Sequence, residues 1–220
     1  GELKDLGQLG GMISLGNQSA SPEKLLEVRK SYLQNLIRLS DGKKFVTDKM
    51  PQNFLYIGLI STVFPEAKII HVRRDPAATC WSNFKHYFSA DGLGYSYNLK
   101  DTVRYFKLYQ DLMNFWDKTL DFKIYDLNYE ALTVNQKQET KRLIEYLELD
   151  WEEACLAPQK NKRNIRTASQ LQIREKVYKG SSDVWRKFSP YLNGVSTSLP
   201  KFKRRLVRAS RVLNCMLVKI

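Results

Sequence analysis

The chain has 220 residues, 43% of them hydrophobic and 12% aromatic, a composition that fits one folded domain with a sizeable core and excludes a disordered chain. A formal charge of +13 points to an anionic partner, although seven of the cations fall within residues 199–220, where no acid offsets them. Cys80, Cys155 and Cys215 stand in no paired spacing, which argues against a disulfide framework or a zinc site and for a reducing, cytoplasmic setting.

Residues 1–16 are rich in glycine and read as loop. Ser21-Pro22-Glu23 is a helix start, with a capping hydroxyl, proline at the first helical position and an acid in the first turn. Leu25, Val28, Tyr32, Leu36 and Leu39 then recur at helical spacing until Gly42. Residues 45–48 form a short strand stopped by Pro51, and 52–64 a buried helix carrying Leu55, Leu59 and Val63. The clearest strand is 67–72, followed by a helix over 76–88 and a polar loop over 89–96. A long amphipathic helix over 101–120 turns Val103, Phe106, Leu112, Phe115 and Trp116 inward; a strand at 122–127 and a helix at 136–147 follow. Strands alternating with helices predict an α/β fold with a parallel sheet flanked by helices. Three strands are few for such a sheet, and the N-terminus is where a further one is expected.

The stretch 68–88, KIIHVRRDPAATCWSNFKHYF, carries the most chemistry. It reads as a buried strand ending in Arg73 and Arg74, a turn at Asp75-Pro76 and a helix bearing Ser82. Anionic nucleotides bind in the crevice beyond the strand ends of α/β sheets, and a guanidinium grips a phosphate with two parallel hydrogen bonds. Nucleotide phosphate recognition is the expectation for Arg74. Arg73 alternates to the other face and is expected to make a structural pair.

The run FVTDKMPQNFLYIGLISTVFPEAKIIHVRRDPAATCWSNF over 45–84 resembles the PAPS-dependent sulfotransferases, closest to the tetratricopeptide-associated bacterial branch and its tyrosylprotein sulfotransferase relatives. The pair Tyr129-Glu130, the segment LELDWEEACL at 147–156 and the run NKRNIRTASQLQIREKVYKGSSDVW at 161–185 continue it. The resemblance implies that Arg74 and Ser82 clamp the 3′-phosphate of 3′-phosphoadenosine 5′-phosphosulfate (PAPS). It places Lys49, in Asp48-Lys49-Met50-Pro51, beside the transferring sulfuryl group, where a fixed cation meets developing negative charge. Glu2 in Gly1-Glu2-Leu3 takes the general base position. His86, four residues after Ser82 on the same helix face, is the rival base. Tyr129 is implied as an adenine contact, and Ser169, Arg174, Lys179 and Ser181 as further nucleotide ligands.

Two departures concern that last region: Lys176 stands where the family has proline, and Val184 where it has arginine. A third is larger. The glycine- and serine-rich 5′-phosphosulfate loop, which follows the first strand, has no counterpart, since residues 14–19 lack a preceding strand and a basic residue. The expected architecture is therefore a P-loop-kinase-like sulfotransferase fold lacking its first strand and that loop, a truncated catalytic domain over 1–195 whose sheet shows unpaired edges beside the gap. Residues 196–220 form a basic amphipathic tail, with Phe202, Leu206, Leu213, Met216 or Leu217, and Ile220 on one helical face, offering weak contact to an anionic membrane surface.

The implied reaction moves a sulfuryl group from PAPS to a hydroxyl of a carbohydrate, lipid, peptide or small alcohol. It leaves adenosine 3′,5′-bisphosphate and calls for no metal and no nucleic acid. Two alternatives stand beside it: a non-catalytic sulfotransferase remnant that binds nucleotide or a partner, and a basic polyanion-binding module.

Overall fold

A computed structural model describes residues 3–88, 92–121, 124–161, 177–192 and 213–219. The glycine-rich start, expected as loop, contains helix α1 (Asp5–Ser14). Its glycines lower helix propensity by about 1 kcal/mol each relative to alanine, but they let the helix approach its neighbours. A Cβ on Gly10 would stand 2.0 Å from Leu59 Cδ2, and one on Gly7 3.2 Å from the Tyr56 hydroxyl. Burial of Leu6 in the main core fixes the helix there.

Helix α2 (Pro22–Ser40) starts as its sequence predicts: Ser21 Oγ accepts the Lys24 N–H at 3.3 Å, satisfying one of the orphan donors of the first turn. Val28, Tyr32 and Leu36 are buried, whereas Leu39 points outward. Asp41 and Gly42, both at positive φ, end the helix. Strand β1 (Phe45–Lys49) follows. The helix expected over 52–64 divides into a 3₁₀ turn (Pro51–Tyr56) and α3 (Ile57–Val63). Trp116 Nε1 donates to the Phe54 carbonyl at the turn, and Phe54, Ile57 and Ile60 face the core while Leu55 faces out.

Strand β2 (Lys68–Arg73) is covered on both faces, with Ile69, Ile70 and His71 all buried. Helix α4 (Pro76–Phe84) is capped by Asp75, whose Oδ1 accepts the Ala78 N–H at 2.8 Å. It stops short of residue 88 because the His86 ring takes the Ser82 carbonyl, an acceptor that a continuing helix would satisfy with its own backbone. Helix α5 (Leu99–Thr119) buries Val103, Phe106, Tyr109 and Met113; Phe115, expected inward, is half exposed. Strand β3 (Tyr125–Asn128), α6 (Tyr129–Val134) and α7 (Gln136–Tyr146) come next, and then strand β4 (Leu213–Lys219).

The four strands form one sheet in the order β1-β4-β2-β3. β2 and β3 are parallel, with His71 opposite Asp126, as the α/β reading predicts. β4 runs antiparallel to both β1 and β2, so those two are parallel to each other across it. This corrects two expectations. The segment 213–219 is strand, not amphipathic helix, and the facing edges of β1 and β2 are both paired. The remainder of the tail lies outside the described residues. In β4 the sheet supplies ladder partners on both sides, and that outweighs the helical spacing of its apolar residues. Among the described residues no helix is long and apolar enough to cross a membrane.

Candidate functional site

β1 and β2 run in the same direction, and each has a basic residue at or just past its carboxyl end. Arg74 follows β2 directly and is only 5% exposed. A buried guanidinium must find acceptors, and this one finds them in a segment distant in sequence. Nε donates to Ser182 Oγ at 3.0 Å, and a terminal nitrogen donates to the Ser181 carbonyl at 2.6 Å. The guanidinium also lies 5.1 Å from the centroid of the Tyr129 ring, whose hydroxyl shares a 3.0 Å hydrogen bond with Ser181 Oγ.

Glu130 closes the network. It accepts the Asp75 backbone N–H at 3.1 Å and the Ser182 hydroxyl proton, so a single carboxylate ties the start of α4 to the segment around Ser182. Ser182 thereby donates to Glu130 and accepts from Arg74, which transmits the opposite charges through a hydroxyl without direct contact. Burial raises the Asp75 carboxyl above its ordinary range, and the neighbouring Glu130 charge raises it further. Trp81 on α4 stacks on Phe188 with ring centroids 4.6 Å apart, pressing the 184–191 segment onto the same helix.

Ser82 is buried on α4, two turns beyond the Asp75 cap. Lys179 is exposed just before Gly180, whose φ of 88° is a conformation natural to glycine. Of the expected nucleotide ligands the structure brings Arg74, Tyr129 and Ser181 into one cluster and sets Ser82 and Lys179 on the adjoining elements. Ser169 and Arg174 lie outside the described residues. Glu130 and Ser182 complete the cluster and were not singled out from sequence. Their signals were present, as the second member of the Tyr129-Glu130 pair and of the Ser181-Ser182 doublet.

Lys49 ends β1, and Cys215 of β4 stands opposite both Lys49 and Ile70. Lys49 is therefore level with the middle of β2, about 10 Å from it across two strand spacings and about 13 Å behind Arg74 along the strand direction. The two cations thus stand at separate places along the direction of the strands. Asp48, beside Lys49, is 1% exposed and accepts from the Leu3 N–H at 3.1 Å, the Tyr32 hydroxyl at 2.9 Å and Asn53 Nδ2 at 3.4 Å. Burial raises its carboxyl above the ordinary range despite those three donors. The Leu3 bond brings the start of the described chain to the end of β1; Glu2 itself is outside the described residues.

His86 is not on the helix face expected for it, since α4 has already ended. Its Nδ1 lies 2.6 Å from the Ser82 carbonyl, which fixes the proton on that nitrogen and leaves the lone pair of the neutral ring at Nε2. Arg73 makes the structural pair expected of it, with Nε 3.5 Å from Asp126 Oδ1. Asp126 also receives Nδ1 of the buried His71, whose Nε2 meets the Tyr109 hydroxyl. Among the described residues no group of three or more His, Cys, Asp or Glu side chains could hold a metal ion. Cys80 is buried on α4 and its thiol is pushed up to about 12, which keeps it protonated and unreactive.

Comparison with known proteins gives two findings. Residues 14–153 match the pattern of the Sulfotransferase family. An uncharacterized protein of Aquifex aeolicus (strain VF5) is 33% identical over 187 residues, an alignment that covers 84% of this chain. The chain spans about a quarter of that relative's length (25%).

Proposed function

Because the chain belongs to the sulfotransferase family, we propose that the crevice at Arg74 holds the 3′-phosphate of a PAPS donor and that Lys49 stands toward its sulfuryl end. The observation that supports this best is the state of Arg74. It is buried at the carboxyl end of a parallel strand, beside the N-terminus of α4, and its hydrogen-bond partners among the described residues are neutral oxygens. Among the described residues those two bonds use two of its five N–H donors, which leaves further donors to meet a phosphate. Ser82 and Ser181 would add hydroxyls, Lys179 a second cation, and Tyr129 an aromatic edge for the base.

In the proposed reaction the acceptor oxygen bonds to sulfur as the bond from sulfur to the 5′-phosphate oxygen breaks, releasing adenosine 3′,5′-bisphosphate. Lys49 neutralises charge growing on the leaving and equatorial oxygens, a role worth most where it is fixed in advance. Glu2, carried by the chain that Leu3 anchors to Asp48, would take the acceptor's proton. The acceptor is a hydroxyl-bearing molecule.

Calorimetric titration of adenosine 3′,5′-bisphosphate into this chain tests the reading, with Arg74→Ala as control. Saturable binding is expected, weakened in the variant by about 1.5–3 kcal/mol, the range for hydrogen bonds to a charged group. Absence of binding by a chain shown to be folded, or equal binding by both proteins, would remove the 3′-phosphate from this crevice.

A further inference from the structure

The aromatic residues between α4 and α5 fall into a fixed set and an exposed one. Tyr95, in a further 3₁₀ turn (Gly94–Tyr97), stacks on Tyr105 with ring centroids 3.9 Å apart, and Tyr105 meets Phe54 of the core edge-on. Ser96 is buried, and Thr102 Oγ1 donates to the Tyr95 carbonyl at 3.1 Å, so the turn is tied to the body of the protein. Tyr87 and Tyr97 stand outside. They are 83% and 53% exposed, yet their rings stack with centroids 5.9 Å and planes 14° apart. The Tyr97 hydroxyl donates to the Phe88 carbonyl, which holds this aromatic shelf without covering it. A row of cations begins three residues further on. Lys100, Arg104 and Lys107 recur at helical spacing on α5, and all three are exposed. Their side chains make no ion pair among the described residues, although Asp111 follows Lys107 by one turn. Lys24, Arg29, Lys68, Arg142 and Arg186, by contrast, each meet an acid at 2.6–2.8 Å. Lys100 also stands in the first turn of α5, where the positive end of the helix disfavours a cation. Breaches of local preference of this kind gather where a surface serves a ligand.

We propose that Tyr87, Tyr97 and the row Lys100, Arg104 and Lys107 form a binding surface for an acidic polysaccharide, a chain of pyranose rings bearing carboxylates. The C–H face of a pyranose lies flat on an aromatic ring, whose face carries partial negative charge. The carboxylates at its rim then meet the ammonium and guanidinium groups, and the unpaired cations draw a polyanion toward the shelf. From Lys100 to Lys107 the row covers about 10 Å of helix axis, room for linked sugars in place of one small anion. An acidic peptide would suit the cations but has no flat face for the shelf. The shelf lies in a loop and a 3₁₀ turn, which offer no strand edge to a peptide backbone. The surface adjoins the end of α4, the helix that carries Ser82. The role of the bound chain as sulfuryl acceptor rests on the sulfotransferase reading; the binding itself does not.

Fluorescence anisotropy of labelled hexagalacturonate with the unsubstituted chain tests this. Saturable binding is expected, about tenfold tighter than that of neutral maltohexaose, which lacks the charges, or of hexaglutamate, which lacks the rings. Tyr87→Ser should weaken it about fivefold, and Arg104→Gln combined with Lys107→Gln about tenfold. Both variants should keep the thermal midpoint of the unsubstituted chain and its affinity for adenosine 3′,5′-bisphosphate. Absence of saturable binding, or undiminished binding by either variant, would overturn the proposal. Hexaglutamate binding as tightly as hexagalacturonate would overturn it too and assign the cations to an acidic peptide. A lowered midpoint in Tyr87→Ser would make the tyrosine pair a brace of the loop and remove it from the surface. Hexagalacturonate binding by a chain that takes up no adenosine 3′,5′-bisphosphate would overturn the donor reading and leave this surface standing.

Discussion

Both parallel strands that bear a candidate functional cation end beside a buried charge, and the two ends treat that charge differently. At β1 the charge is Asp48, held by Leu3, Tyr32 and Asn53, donors fixed in α2, the 3₁₀ turn and the start of the chain. At β2 it is Arg74, held by a serine hydroxyl and a carbonyl from the Ser181-Ser182 segment, with the Tyr129 ring beneath. Asp48 has partners that belong to the scaffold, and its burial alone shifts it upward. Arg74 has partners that an anion could join or replace. The contrast separates a charge whose partners are donors of the scaffold from one whose partners are neutral groups of a segment distant in sequence, although exposure alone would not tell them apart.

The largest effect should come from the cation between these roles. Under the proposed reading Lys49→Ala should reduce turnover by about 10²–10³, the usual cost of deleting one preorganised group that meets developing charge. Its affinity for adenosine 3′,5′-bisphosphate should barely change. Steady-state kinetics with calorimetry distinguish these, and an unchanged turnover would return Lys49 to the surface of β1.

Asp48→Ala should come next, lowering the unfolding free energy by about 2 kcal/mol in urea titrations, because two buried donors and one part-buried donor lose their acceptor together. Asp48→Asn, which keeps an acceptor oxygen, should lose less. Neither should alter nucleotide affinity by the amount that Arg74→Ala does; if Asp48→Ala does so, the two ends are not distinct.

Glu130→Ala should weaken adenosine 3′,5′-bisphosphate binding by about 1 kcal/mol, the net value of an ordinary hydrogen bond, by loosening Ser182 and the turn at Asp75. Glu130→Gln should recover most of it, since the amide oxygen can accept from the same two donors. Failure of the glutamine to rescue would mean that the charge of Glu130 matters and not its geometry.

The smallest effect concerns pH. Asp48 has a raised carboxyl in the folded protein, so the native state binds its proton more tightly than the unfolded chain does. Its contribution to stability is then complete below the ordinary carboxylate value and declines as pH rises from 3.8 through the raised one. The difference in thermal midpoint between the unsubstituted chain and Asp48→Asn should change in that window and be flat above it.

Much of this was legible in the residues. The strand at Lys68–Arg73, the Asp75-Pro76 turn and the capped start at Ser21 are local signals, and local chemistry decides them. Arg74, Tyr129 and Ser181 were singled out, and the structure brings them together. What sequence hid was decided at a distance. The glycines of α1 look like loop until Leu59 and Tyr56 show why a Cβ is unwelcome. β4 has helical spacing and is a strand because two ladders receive it. Ser182 and Glu130 lie 52 positions apart, and no periodicity links them.

The chain has two histidines, and the structure has put them in unlike places. His71 is 2% exposed, with Nδ1 on Asp126 and Nε2 on Tyr109, on the strand that Arg74 follows. A ring proton held between a carboxylate and a buried nitrogen is shielded from solvent exchange, so its magnetic resonance should stand apart from that of the half-buried His86. The protein thus carries its own spectroscopic probe of β2, one that can be read without labelling Arg74 or its neighbours.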